Sequence, residues 1–199
     1  MKVLVACEYS GAVSRAFRKL GHEAISCDLL PADHIEDAEW HHQGDVMEII
    51  NQGWDLMIAH PPCTHLAVSG ARWFKDKQQE QADALAFVLK LMAAPIDKIC
   101  IENPVSIISS RIRKPEQIIQ PWMFGHEATK TTCLWLKGLP LLKPTNIVGK
   151  GARHVTKSGK SLPEWYNLPP SADRWKLRSA TFQGIADAMA MQWGGQVKS

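Results

Sequence analysis

Two short clusters in this sequence combine residue types that can do covalent chemistry on carbon. His60-Pro61-Pro62-Cys63-Thr64 puts a thiol where two prolines forbid regular structure, so Cys63 belongs to a turn or loop. Glu102-Asn103-Pro104 follows the apolar run 98–101 and sets a carboxylate at its end. A thiolate is a strong nucleophile toward electron-poor carbon, and a carboxyl group beside it can protonate or hydrogen-bond a heterocycle, so that attack yields a stabilised intermediate. Singly, a loop cysteine and a capping carboxylate are ordinary structural residues. At the ends of two neighbouring strands they become a pair that can share one pocket. The other cysteines, at 7, 27, 100 and 133, fall in or at the end of strand-like runs and read as small buried hydrophobes. With no C-x-x-C pair and an odd total of five, the cysteines form neither a zinc nor a disulfide framework, and no metal is expected.

The elements that would position these residues are legible from periodicity. Residues 2–7 are a short apolar run; 11–20 carry Val13, Ala16, Phe17 and Leu20 at helical spacing; Gly21 ends that helix and 23–27 are extended before Asp28. Residues 46–51 predict a short helix and 54–59 a buried strand. Residues 78–92 predict an amphipathic helix with Ala82, Leu85, Ala86, Leu89 and Met92 on one face, followed by a strand over 98–101. Residues 131–136 read as a strand, 138–178 as loop rich in Pro, Gly and Lys, and 185–193 as a closing helix. This alternation predicts an α/β fold with a mostly parallel, twisted sheet and right-handed crossovers. In such sheets ligands sit outside the carboxyl ends of the strands. Those positions are Glu8 to Gly11, Asp28, Gly44-Asp45, His60 to Thr64 and Glu102 to Pro104.

Pro61-Pro62-Cys63 and Glu102-Asn103-Pro104 resemble two catalytic motifs of the DNA cytosine-5 methyltransferase family, a Pro-Cys nucleophile loop and a Glu-Asn-Val/Pro motif. The chain is similar to a small, bacteriophage-type member that lacks a full target-recognition domain. The likeness extends to Val3-Leu4-Val5-Ala6-Cys7-Glu8-Tyr9-Ser10-Gly11, to Asp28 and to Gly44-Asp45, which occupy the family's cofactor positions in order. The resemblance implies a Rossmann-like methyltransferase fold, one domain over 1–199, with S-adenosyl-L-methionine as cofactor. It places Glu8, Tyr9, Ser10, Gly11, Asp28, Asp45, His60 and Pro61 on that cofactor. Gly11 would permit close approach of the backbone, Asp28 would accept from the ribose hydroxyls, and Asp45 would meet the adenine amino group. The family loop carries several glycines; here only Gly11 remains, with Glu8 and Ser10 where small residues are expected.

The same resemblance implies that Cys63 thiolate adds to C6 of a cytosine while Glu102 holds N3 and the exocyclic amine, so that C5 can take a methyl group. Asn103 would brace the cysteine loop and Pro62 would shape the pocket wall; His60 has no settled family role. Ala128-Thr129-Lys130-Thr131-Thr132 is the nearest match to the family's Q-x-R-x-R strand, with Lys130 and Thr132 as candidate substrate contacts. Thr181-Phe182-Gln183-Gly184-Ile185-Ala186 resembles the final motif that folds back onto the cofactor site, with Ile185 where the family has Asn.

Composition narrows the partner. The 199 residues are 45% hydrophobic and 22% charged, which excludes extended disorder, collagen-like repeats and coiled coil. The net charge of +3 hides an uneven distribution: residues 1–136 hold 13 Lys/Arg and 17 Asp/Glu, whereas 137–178 hold 9 and 2. This basic segment stands where the family has its recognition domain. Lys143, Lys150, Arg153, Lys157 and Lys160, with Trp165, Tyr166 and Trp175, suit phosphate contact and base stacking. Lys143 and Arg153 are therefore further candidate substrate contacts, and the expected partner is double- or single-stranded DNA. No apolar run approaches the roughly 18–20 residues that span a bilayer, so a cytoplasmic protein is expected, in a bacterial host if phage encoded. Modification of a free pyrimidine nucleotide, or a catalytically silent module that binds cofactor or DNA, are the alternative readings.

Overall fold

A computed structural model describes residues 1–68, 77–163, 171, 176 and 179–195. Its centre is a seven-stranded sheet of β1 (Lys2–Ala6), β2 (Glu23–Asp28), β3 (His41–Gln43), β4 (Leu56–Ala59), β5 (Lys98–Pro104), β6 (Gln117–Ile119) and β7 (Thr132–Lys137), in the order β3-β2-β1-β4-β5-β7-β6. β7 alone runs against the others. The expected α/β architecture with a mostly parallel sheet is the one that forms. Val3, Leu4, Val5 and Ala6 and all four residues of β4 are fully buried, as continuous apolar strands covered on both faces must be.

Alternation along the strands divides the core in two. Val3, Val5, Leu56, Ile58, Cys100 and Leu134 face one side, where α1 (Ala12–Lys19) and the closing helix pack through Val13, Phe17, Ile185 and Met189. Leu4, Ala6, Met57, Ala59, Ile99 and Ile101 face the other, against Val88 and Leu91 of α2 (Gln78–Met92). On α2 the buried residues are Val88 and Leu91, flanked by the partly buried Ala84, Leu85 and Met92; of the expected stripe, Leu85 and Met92 pack on the core while Ala82 and Ala86 are exposed and Leu89 is 49% exposed. All of these residues are apolar in sequence, and only the sheet selects among them.

Other boundaries shift for local reasons. β5 runs three residues beyond expectation because Asn103 and Pro104 pair with Cys133 and Thr132 of β7. Glu102, Asn103 and Pro104 are thus the last residues of a strand and not a loop behind it. The helix expected over 46–51 is a short 3-10 turn, Val46–Glu48, capped by Asp45. β3 and β6 are three residues each, too short for a periodic signal, and α3 (Ile108–Arg111) is a single turn. The closing helix α4 (Gln183–Met189) starts two residues early and ends in a wider turn, Ala190–Gly194. Gly184 is needed there: a Cβ would stand 1.9 Å from the Phe124 carbonyl oxygen. Among the described residues of the basic segment, β8 (Arg153–Val155) and β9 (Ser161–Pro163) form a small hairpin. Among the described residues, no helix is long and apolar enough to cross a membrane.

Candidate functional site

β1 leads through α1 to β2 on one side of itself, while β4 lies on the other, so the switch point of the sheet opens between β1 and β4. The loop after β1 is closed by its own residues. Cys7 holds a left-handed φ of 58°, and the buried Glu8 carboxylate accepts from the Val13 and Ser14 amides at 2.7 and 3.2 Å. Gly11, at φ 69°, begins the helix; a Cβ there would stand 2.6 Å from the Asp37 carboxylate, which is ion-paired with Arg15 and Arg18. Glu8 and Gly11, expected on the cofactor, therefore serve α1 itself. A carboxylate already occupies the amides with which a nucleotide-binding helix would grip a phosphate. Tyr9 reaches the Ser179 hydroxyl at 3.2 Å, and Ser10 Oγ accepts from the Ala12 amide at 3.4 Å.

Beside this loop lies a cleft of about 250 Å³ with Asp28 and Asp45 on its wall and apolar surface from Leu29, Val46, Pro62 and Phe87. Each acid uses one oxygen on its own turn: Asp28 Oδ1 accepts from Leu30 at 2.9 Å and Asp45 Oδ1 from Met47 at 3.0 Å. Cys7 and Cys27 also line the cleft. Burial, then the charge of Asp28, pushes the Cys27 thiol up to about 12, and the same causes hold the Cys7 thiol far above its usual range. Both stay protonated. Two acids between apolar walls fit a nucleoside that presents hydroxyl and amino donors, and their field favours a cation over a phosphate.

Of the expected cofactor set, Asp28 and Asp45 line this cleft; Glu8, Tyr9, Ser10, Gly11, His60 and Pro61 do not. Pro62, expected with Cys63 and Glu102 among the catalytic residues, also lines this cleft. Leu29 and Val46 had a sequence signal, adjoining the two acids, whereas Phe87 arrives from α2 with none.

The second part of the site joins the ends of β4 and β5. Ala59 pairs with Ile101, so His60 and Glu102 leave the sheet side by side. His60 Nδ1 lies 3.4 Å from Glu102 Oε2, with the side chains 13% and 16% exposed. Burial alone would drive the imidazole neutral, but the hydrogen bond and charge of Glu102, with Glu8 adding to them, raise its pKa. For Glu102 burial pulls upward, and His60 and then Lys130 outweigh it, so its pKa is lowered. With His60 protonated, the two form an ion pair. One residue on, Asn103 Nδ2 donates to the Pro61 carbonyl at 2.8 Å in the interior, tying β5 to the loop that carries Cys63. Pro61 is buried, while Pro62 and Cys63 are exposed. The Cys63 carbonyl accepts from Leu66 and Ala67 at 3.0 and 2.9 Å, which shapes the loop into a turn.

The expected substrate contacts separate. Lys130 lies near Glu102, donates to the Ala180 carbonyl at 3.3 Å and sits 5.9 Å from the Phe182 ring, so the segment before α4 folds back beside the site. Thr132 is buried and its hydroxyl donates to the Lys130 carbonyl at 3.1 Å; it supports Lys130 and faces no open site. The Lys143 backbone amide donates to Gln192 Oε1 and its carbonyl accepts from Gln192 Nε2, both at 2.8 Å, in the turn after α4. That turn packs on His22, just ahead of β2, at the amino-terminal end of the sheet and opposite to Cys63. Arg153 spends its guanidinium on Ser161 within the hairpin. Trp165, Tyr166 and Trp175 lie outside the described residues. Among the described residues, no group of three or more His, Cys, Asp or Glu side chains could hold a metal ion.

No protein-family model and no curated protein matches the sequence. Among solved structures, the chain is similar to the Entamoeba histolytica methyltransferase EhMeth, with a TM-score of 0.54 and 15% identity over 77% of this chain and 58% of that one. The fold is a Rossmann-like methyltransferase fold. A weaker likeness, with a TM-score of 0.48 and 16% identity, covers 75% of this chain and 52% of a protein described as a DNA modification methyltransferase encoded within an Escherichia coli prophage. The chain thus spans between half and two thirds of the length of these methyltransferases. In this methyltransferase fold, the acid-lined cleft and the Cys63 loop share Pro62 as their boundary.

Proposed function

We propose that this protein methylates cytosine at C5 in DNA, with S-adenosyl-L-methionine as methyl donor. The observation that carries the reading is the buried bond from Asn103 to the Pro61 carbonyl, which holds the Cys63 loop against the strand of Glu102. A nucleophile and a carboxyl group at one sheet edge, next to a cleft fit for a nucleoside, are what covalent catalysis on a pyrimidine needs. In the cleft, Asp28 would take the ribose hydroxyls and Asp45 the adenine amino group, between Leu29, Val46 and Phe87. Bound there, the donor supplies an electrophilic methyl group. Cys63 thiolate adds to C6, Glu102 holds N3 and the exocyclic amine, and C5 gains the electron density that makes it nucleophilic. Loss of the C5 proton and of the thiolate then restores the aromatic ring. Lys130 adds a cation beside Glu102, suited to a phosphate or base oxygen.

The test uses oligonucleotides in which 5-fluorocytosine replaces cytosine, because fluorine at C5 blocks the final proton loss. With cofactor present, wild-type protein is expected to form a stable covalent adduct with single- or double-stranded DNA, and Cys63→Ser to form none. An adduct that survives Cys63→Ser, or no adduct on any substrate that binds, overturns the reading.

A further inference from the structure

The pairing of His60 with Glu102 has a chemical consequence that rests on Glu102 meeting the cytosine edge. His60 Nε2 is buried and meets no hydrogen-bond partner among the described residues, and Nδ1 meets Glu102. Cytosine N3 is an acceptor, and so is a carboxylate. Two acceptors face to face repel, and Glu102 can hold N3 only while it carries a proton. We infer that His60 is the proton reservoir of the site, a positioning residue that passes its Nδ1 proton to Glu102 as the base docks and recovers it at the end of the cycle.

The transfer balances at every step. Moving one proton from Nδ1 to Oε2 converts imidazolium and carboxylate into imidazole and carboxylic acid, so no net charge appears in a poorly hydrated site. As the Cys63 sulfur bonds to C6, the C5=C6 pair moves to C4=C5 and the C4=N3 pair takes the Glu102 proton. Elimination reverses this: thiolate leaves C6, N3 returns the proton to Glu102, and Glu102 returns it to His60. Without a methyl donor the same steps let C5 accept a solvent deuteron and release its own hydrogen, so exchange at C5 reports on them directly. The charged groups facing the pair are Glu8 from the loop after β1 and Lys130 ahead of β7; the Cys100 thiol shares the face of Glu102, and the Cys133 thiol lies on the opposite face. Glu8 favours the imidazolium and Lys130 favours the carboxylate, which sets the resting state from which the proton is drawn.

Two measurements on the full chain test this. In spectra of protein carrying nitrogen-15 histidine, His60 is expected to be an imidazolium near neutral pH, to turn neutral when a cytosine-containing single strand binds, and to stay charged with a thymine-only strand. Deuterium exchange at C5 in His60→Gln is expected to fall on the order of 10²-fold at about pH 8, with its alkaline limb displaced to lower pH, because Glu102 must then take its proton from water. A packing role would lower the rate equally at every pH. A wild-type alkaline limb in His60→Gln, or an imidazole whose charge ignores cytosine, overturns the inference; if that variant fails to fold, the wild-type spectra decide. Exchange that persists in Cys63→Ser and Glu102→Gln overturns the underlying reading instead. A wild type that neither binds nor exchanges overturns both.

Discussion

Asn103 and Glu102 are neighbours on one strand, yet they act on opposite faces of the sheet. The two-residue period sends Glu102 to the side of Cys100 and Leu134, with His60 and Lys130, and sends Asn103 to the side of Ile101, under Pro61. One strand end therefore supplies both the carboxylate and the brace. The ion pair also links stability to pH. His60 is raised above its ordinary 6.5, so its contribution is complete below that value and fades as pH climbs through the raised one. Glu102 is lowered below its ordinary 4.5, so its contribution is present above that value and fades as pH falls through the lowered one. The pair should stabilise the fold most between these two ordinary values. Urea midpoints measured from acid to alkaline pH are expected to decline on the alkaline side in wild type and to decline less in His60→Gln. Equal alkaline slopes would show that His60 carries no linked proton.

At the scale of elements, α1 and α2 show how local pattern and packing divide the work. α1 has no acidic residue in its first turn and no cap from its Gly11 N-cap; Glu8, from the strand side of the loop, fills that role through two amides. This explains an acid in a loop where small residues were expected. α2 was recognisable as a helix over its full extent, but the face it buries was only half legible: of the expected Ala82, Leu85, Ala86, Leu89 and Met92, Leu85 and Met92 pack on the core, beside Ala84, Val88 and Leu91. Contact with Ile99 and Ile101 settles the choice. Val88→Ala and Leu91→Ala are expected to cost roughly 1–4 kcal/mol each, whereas Leu89→Ala should stay within about 0.5 kcal/mol. Chemical denaturation of the three variants distinguishes the two faces, and the reverse ranking would mean that the helix is rotated.

Over the whole molecule, the question raised by the basic segment is which of its cations can reach the site. The backbone of Lys143 is anchored by Gln192 at the amino-terminal end of the sheet and the Arg153 guanidinium is spent within its hairpin, while Lys130, outside the segment, stands beside Glu102. Lys143→Ala is expected to leave adduct formation and its salt dependence unchanged; Lys130→Ala should weaken the adduct yield and flatten the dependence on salt by about one counterion. Equal effects of the two would place the nucleic acid on a surface this geometry does not favour. The sequence by itself determined the alternation of strands and helices, the parallel sheet, and the loop position of Cys63, because apolar periodicity and proline act within a few residues. It also brought out Asp28, Asp45 and Glu102 as strand-end acids. Only the tertiary structure decided that Glu8 caps a helix, that Lys143 lies toward the amino-terminal end of the sheet, that Phe87 walls the cleft and that His60 pairs with Glu102. The Glu8 cap closes over five and six residues, whereas the other three depend on how distant segments lie beside one another. Register and strand order are set by the packing of segments far apart in the chain, and no window of sequence contains them.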